Sequence, residues 1–378
     1  MKKKSNINKF IPVNKPLITY KNAKDVYKTL KSGWVSSDGP QVSEFEKKLS
    51  RKIGLKYGIA VSNGTAALEI ALKSLNLKKD DEVIIPNFTI VSTLLAVIRN
   101  ELVPVLIDCK IDDWNMQLDE IKKKITKKTK CIIATHIYGF PCEIEKIVNF
   151  GKKNKIFVLE DAAEMLGHKN FKGKYYGSFG NISIFSFYAN KHITTGEGGM
   201  ILTNDFNLAN KCRSYRNLCF GYGHERFQHT GVGWNYRISN IQASLGLSQL
   251  KELDKIIIKK KKVGKIYYNF LKNCKKIYIQ PPKKNSSQNV YWVVGIINKS
   301  NIDTRKIMNK LHAKGIQTRP FFTPMSKQKV FKKIFKKKIK LINSEKIYRK
   351  GFYLPSSINL KFNEIKFICD ELKKIIKD

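Results

Sequence analysis

Residues 57–107 read YGIAVSNGTAALEIALKSLNLKKDDEVIIPNFTIVSTLLAVIRNELVPVLI. Three short apolar runs, 57–61, 82–85 and 103–107, are separated by stretches with helical spacing, 62–75 and about 89–99. Runs this short, apolar at consecutive positions, have the pattern of strands buried on both faces. Ser62-Asn63-Gly64-Thr65 opens the first helix, and Pro86-Asn87 stops the second strand. Outward from this core the alternation continues. Helices are predicted at 118–125 and 143–153, and strands at 131–135, 156–159, 182–187 and 200–203. Such βαβ repetition predicts an α/β fold with a mostly parallel sheet covered by helices. In such sheets ligands collect beyond the carboxyl ends of the strands.

After about residue 250 the texture changes. A lysine-rich helical stretch, 250–271, leads to Pro281-Pro282 and a polar linker, 283–288. A strand at 290–297, a helix at 304–313 and the segment Gly315-Ile316-Gln317-Thr318-Arg319-Pro320 follow. The expectation is a large domain over 1–250 and a smaller α+β domain over 251–378 that closes over a pocket.

Composition narrows the function classes. At 378 residues the chain exceeds one compact core. No apolar run approaches the ~20 residues a membrane span needs. Met1-Lys2-Lys3-Lys4-Ser5-Asn6 has no apolar segment behind its charges, so it does not read as a secretory signal. The seven scattered cysteines, with no C-x-x-C pair, read as reduced thiols in a cytoplasmic protein, with no disulfide framework and no metal site. With 72 basic and 30 acidic residues the formal net charge is +42. Nucleic-acid binding is one reading of that excess. Yet the lysines occur throughout, one dense run (327–340) aside, and no nucleic-acid-binding motif accompanies them. A solvated basic surface is the better reading, and its field favours anionic small substrates such as nucleotide sugars.

Chemistry concentrates in residues 185–200, FSFYANKHITTGEGGM. A hydroxyl, Ser186, stands five residues before Lys191, and a glycine-rich turn follows it. A lysine pinned this way can form a Schiff base with an aldehyde cofactor. Four other elements have a functional and a structural reading each. Ser62 to Leu68 is a phosphate cradle at a helix N-terminus, or an ordinary capped helix start. Glu160-Asp161-Ala162-Ala163-Glu164 offers a carboxylate for a pyridinium nitrogen beside small residues that admit a flat ring, or Asp161 is an N-cap. Gly233 to Ala243 opens a helix with amide, guanidinium and aromatic groups together, where Arg237 binds a phosphate or is an ordinary surface arginine beside a cap. Arg319 beside Phe321-Phe322 suits an anionic sugar nucleotide, or marks a turn.

Taken together, SNGTAALEIAL, DEVIIPNFTIVS, THIYGFP, LEDAAE, GSFGNISIFSFYANKHITTGEGGMILTND, GWNYRISNIQASLGLSQL and GIQTRPFFTPM resemble the DegT/DnrJ/EryC1/StrS family of pyridoxal-phosphate sugar aminotransferases. They cover most of the chain, and the Lys191 block is the most specific. SFYANKHITTGEGGM and NYRISNIQA look most like the family's GDP-perosamine-forming branch. The resemblance implies the type I aminotransferase fold, working as a homodimer with active sites at the subunit interface. It implies Lys191 as the Schiff-base lysine and Asp161 as the carboxylate on the pyridine nitrogen. Glu164 would lie near the cofactor's hydroxyl. Gly64, Thr65 and Ser186 match the phosphate site, and Asn235 a phosphate ligand given to the partner subunit. His136, His229, Arg237 and Arg319 are candidate substrate contacts.

Two positions depart from the family pattern. Ile90 stands where many members carry an aromatic over the cofactor ring, with Phe88 as a possible substitute, and Glu164 stands where glutamine is common. The reaction implied moves the amino group of L-glutamate to a 4-keto-6-deoxy sugar nucleotide, most closely GDP-4-keto-6-deoxymannose. Related dehydratases carry histidine at the lysine position, so Lys191 argues for amine transfer. A UDP- or dTDP-linked ketosugar is the alternative acceptor. A basic nucleic-acid binder or a non-catalytic cofactor-binding regulator are readings of other classes.

Overall fold

The computed structural model describes residues 10–221, 223–281, 291–335 and 340–377. The polar linker 283–288, residue 290, lysine-run residues 336–339 and the N-terminal 1–6 lie outside them. The large sheet has seven strands: β1 (Tyr57–Val61), β2 (Glu82–Pro86), β3 (Val103–Ile107), β4 (Thr129–Thr135), β5 (Phe157–Asp161), β6 (Ile182–Ser186) and β7 (Gly199–Thr203). Their order is β1-β7-β6-β5-β4-β2-β3. β3, β2, β4, β5 and β6 run parallel, and β7 is antiparallel to both β6 and β1.

Each strand feeds both faces, as consecutive apolar positions require. Ala60, Ile84, Ile132 and Ala134 belong to one core cluster, while Ile59, Val61, Val83, Ile85, Cys131 and Ile133 belong to the other. The first six helices are α1 (Tyr20–Lys31), α2 (Pro40–Ile53), α3 (Gly64–Ser74), α4 (Ser92–Arg99), α5 (Leu118–Lys122) and α6 (Ile144–Lys153). They are followed by α7 (Phe206–Arg216), α8 (Asn240–Leu250) and α9 (Leu253–Leu271). α3 and α7 pack on one face of the sheet, and Phe45 and Leu49 of α2 sit in the core of the other.

A second sheet, ordered β10-β11-β9-β8, is antiparallel throughout and holds β8 (Ile277–Ile279), β9 (Val294–Asn298), β10 (Arg319–Pro320) and β11 (Gly351–Leu354). α10 (Thr304–Ala313), α11 (Ile342–Lys350) and α12 (Phe362–Lys377) accompany it. Its core includes Ile11 and Val13, because Ile11 pairs with Ile316. α9 joins the two units: Leu253, Ile256 and Ile257 pack with the large sheet, and Val263, Tyr267 and Leu271 with the small one.

Three expectations shift on the structure. The helix expected from about 89 starts at Ser92, leaving Thr89 and Ile90 in the preceding loop. The strand expected from 290 starts at Val294, because Tyr291 takes a left-handed backbone (φ 44°) that interrupts an extended chain. The described part of the lysine run forms two short 3₁₀ turns, Met325–Lys327 and Lys329–Phe331, around the buried Met325 and Phe331. Among the described residues no helix is long and apolar enough to cross a membrane. All seven cysteines are free.

Candidate active site

A cavity of about 510 Å³ opens where β4, β5 and β6 end, lined by Thr135, Asp161 and Ser186 at those ends. That is the place a parallel sheet offers a ligand. Gly64 and Thr65 enter the wall from the first turn of α3, Lys191 from the loop between β6 and β7, and Arg319 from β10.

The Lys191 loop is held by its threonines and glycines. Phe187 N–H donates to the Gly198 carbonyl (2.8 Å) and Thr195 N–H to the Phe187 carbonyl (3.0 Å). The Thr194 hydroxyl also donates to the Phe187 carbonyl (2.9 Å), and its N–H to Gln249 Oε1 on α8 (2.8 Å). Gly196 turns the chain at φ 81°. Lys191 Nζ lies 3.5 Å from Glu164 Oε1 and 3.9 Å from the centroid of the Trp292 ring. Burial lowers the pKa of this amine, against the opposing pull of Glu164 and Asp161. A lysine so placed yields its proton more readily than one in water, as a nucleophilic amine requires.

Two carboxylates face it. Asp161 ends β5 and caps no helix; its side chain accepts the Ala163 N–H at 3.2 Å and lies 3.5 Å from the Thr135 hydroxyl. Burial raises its pKa, so a cationic partner in the cavity would be strongly favoured. Glu164 accepts the Tyr138 N–H at 2.6 Å, and burial pushes its pKa up to about 7. Glu160, one strand position from Asp161, points away; it accepts the N–H groups of Gly177, Phe179 and Gly180 and pins the loop before β6.

At α3, Asn63 Oδ1 accepts the Ala66 N–H (2.8 Å) and the Asn63 carbonyl that of Ala67 (3.1 Å). Of the first-turn amides, those of Gly64 and Thr65 therefore stay available to an anion. Thr65 and Ser92 share a hydroxyl contact of 2.7 Å beside them. A Cβ added to Gly64 would lie 3.0 Å from Ser186 Cβ, so only glycine keeps this cradle open. Pyridoxal phosphate fits these groups: amides and hydroxyls for the phosphate, Lys191 for the aldehyde, and buried Asp161 for the ring nitrogen.

The structure brings Lys191, Asp161, Glu164, Gly64, Thr65, Ser186 and Arg319 to one cavity, and leaves four other candidates outside it. His136 is fully buried; its Nδ1 accepts the Cys142 N–H (3.1 Å) and its Nε2 donates to Glu160 (3.0 Å). It anchors the loop after β4 and does not reach the cavity. His229 lies on an exposed loop, its Nδ1 2.7 Å from the Leu218 carbonyl. Arg237 bonds to Asn217, and Asn235 bridges to the same residue. Ile90, 41% exposed, is the residue in the cavity wall, whereas Phe88 is buried against Tyr138, Phe321 and Phe322. Phe88 therefore does not replace the missing aromatic. Sequence reading missed Trp292, Tyr236, Tyr353 and the Glu69–Arg99 pair, all of which line the cavity. Trp292, Tyr353 and Arg99 sit in apolar or mixed segments that read as plain core, whereas Tyr236 and Glu69 lie within stretches read as functional through other residues.

The profile of the DegT/DnrJ/EryC1/StrS aminotransferase family matches residues 16–373. The chain is 36% identical over 370 residues to a GDP-perosamine synthase of Escherichia coli O157:H7, covering 98% of this chain and 100% of that one. It is 33% identical over 366 residues to a GDP-perosamine synthase of Vibrio cholerae, covering 96% and 98%. Among solved structures, Helicobacter pylori PseC, an aminotransferase involved in pseudoaminic acid biosynthesis, superposes with a TM-score of 0.92 at 25% identity, covering 98% of this chain and 100% of that one. The chain therefore belongs to the DegT/DnrJ/EryC1/StrS family, as an aminotransferase whose cofactor is pyridoxal phosphate.

Proposed function

We propose that this protein moves the amino group of L-glutamate to a nucleotide-linked 4-keto-6-deoxy sugar, GDP-4-keto-6-deoxymannose first, giving GDP-perosamine for surface polysaccharide. The observation that carries this is a buried lysine, Lys191, paired with Glu164 at 3.5 Å in one cavity with Asp161 and the α3 anion cradle. The GDP-perosamine synthases among its relatives support the choice of acceptor. We place the reaction in the cytoplasm, in a homodimer to which each chain lends Asn235, with residues 1–250 holding the cofactor and 251–378 closing the cavity.

When bound, pyridoxal phosphate supplies an aldehyde carbon and an electron-withdrawing ring that acidifies the carbon bearing the amine. The chain does the rest. Gly64, Thr65 and Ser186 hold the phosphate, and Asp161 keeps a proton on the ring nitrogen by charge. Lys191 takes the proton from the α-carbon of glutamate and, in the second half, delivers one to the sugar carbon that receives nitrogen. Arg319, at the cavity mouth, is placed for the nucleotide's charge.

The test is the visible absorption of the purified protein with pyridoxal phosphate. Bleaching by L-glutamate and recovery with GDP-4-keto-6-deoxymannose is the expected result. Recovery only with a UDP- or dTDP-linked ketosugar would move the acceptor, and no response to glutamate would sink the donor.

A further inference from the structure

The small unit meets Lys191 through the side chain of Trp292. Trp292 is buried, and its ring face lies 3.9 Å from Lys191 Nζ. Its indole N–H donates to the carbonyl of Asn190 (2.9 Å), the residue before the lysine, and Asn14 donates to the same oxygen at 2.8 Å. Its own carbonyl accepts from the buried side-chain nitrogen of Lys260 on α9 (2.8 Å). Tyr138, whose N–H holds Glu164, stacks on it at 6.0 Å with planes 25° apart. Gly139 lets the two segments meet, since a Cβ there would stand 2.6 Å from Trp292 N.

We propose that Trp292 is a positioning residue for Lys191: its indole face seats the free ammonium, and its N–H fixes the backbone one residue before it. This rests on Lys191 being the cofactor lysine. A lysine released during amine transfer must wait within reach, and a freed four-carbon side chain has many rotamers to lose. The face of an indole attracts an ammonium and does not neutralise it, unlike a second carboxylate. Glu164 at 3.5 Å, Asp161 and the buried His192 are the other charged or titratable groups near this amine, and none of them is altered in the variants below.

Seating of a cation raises its affinity for the proton, so the readout is the titration of Lys191 in the cofactor-free protein. Trace acetylation across a pH series, with Lys191 quantified by mass spectrometry, gives the midpoint of that amine. Trp292→Met removes the π face and the N–H and should lower the midpoint by about half a unit to one and a half units. Trp292→Phe keeps a weaker face and should retain most of it. Should Trp292→Met fail to fold, biosynthetic replacement with increasingly fluorinated tryptophan keeps the shape and weakens the face. The midpoint should then fall stepwise. Among the described residues Trp292 is the only tryptophan facing a lysine ammonium, so replacing all four serves as a test of this one. An unmoved midpoint in the Met variant or the fluorinated series overturns the proposal. Borohydride trapping of pyridoxal phosphate on the wild type separates the underlying reading. A label absent from Lys191 refutes the cofactor assignment, whatever the midpoints show.

Discussion

Lys260 offers the sharpest quantitative test of how the two units are joined. Its side chain is buried in α9, with Nζ donating to the carbonyls of Trp292 (2.8 Å) and Ser356 (2.6 Å). Burial pulls its pKa down to about 7. In the unfolded chain a lysine titrates near ~10.4, so the gap is about 3 to 4 units, or about 4 to 5 kcal/mol of linked stability. Between these two values the unfolded chain holds the proton and the folded one does not. Stability from this group is therefore complete above the unfolded pKa and is lost as the pH falls toward 7. Lys260→Met removes that dependence but leaves two buried carbonyls unpaired, at about 1–3 kcal/mol each. The substitution should thus be close to neutral at pH 7 and clearly destabilising near pH 10. Reversible urea unfolding of both proteins at the two pH values, at one protein concentration, measures it. A stability difference that does not change with pH would refute a lysine buried in its neutral form.

Lys191→Ala should keep the fold, measured by circular dichroism, while losing turnover and the visible absorption of bound cofactor; unchanged turnover would end the assignment. Asp161→Asn keeps shape but removes the buried charge, and we expect kcat to fall about 10²- to 10³-fold, as when a preorganised electrostatic group is removed. Steady-state kinetics with saturating cofactor decides that, and wild-type kcat would show the ring nitrogen has another partner. Phe88→Ala empties a fully buried aromatic position and should cost about 3–5 kcal/mol in denaturant titrations. Because Phe88 lies behind the cavity wall, cofactor affinity of the folded variant should stay near wild type, and a large loss would place its ring in the site.

The legible part of this protein is local chemistry. Strands 57–61 and 103–107 and the helix 304–313 end where hydrophobic period and turn residues place them. The Lys191 loop is largely local: apart from the Thr194 N–H, which donates to Gln249, the bonds of its threonines and glycines cited above stay within residues 187–198. Asp161 and Glu164 sit at a strand end, and in a parallel sheet strand ends are where a ligand goes. That much follows from spacing alone, because the groups that hold one another are near in sequence. The rest was decided by contacts between distant segments. His136 and Arg319 look alike on paper as polar candidates, yet Glu160 and Cys142 close over the first, while pairing of Arg319 with Tyr353 across β10–β11 carries the second to the cavity wall. Phe88 and Ile90 are two residues apart, and only packing against Phe321 and Phe322 from the other unit turns Phe88 away. Trp292 reads as core in a strand-like run and becomes a neighbour of Lys191 because Tyr291 bends the chain, Gly139 admits it and Lys260 holds its carbonyl. Sequence determines which groups can do chemistry; which of them share a cavity depends on long-range packing, whose partners no local pattern names.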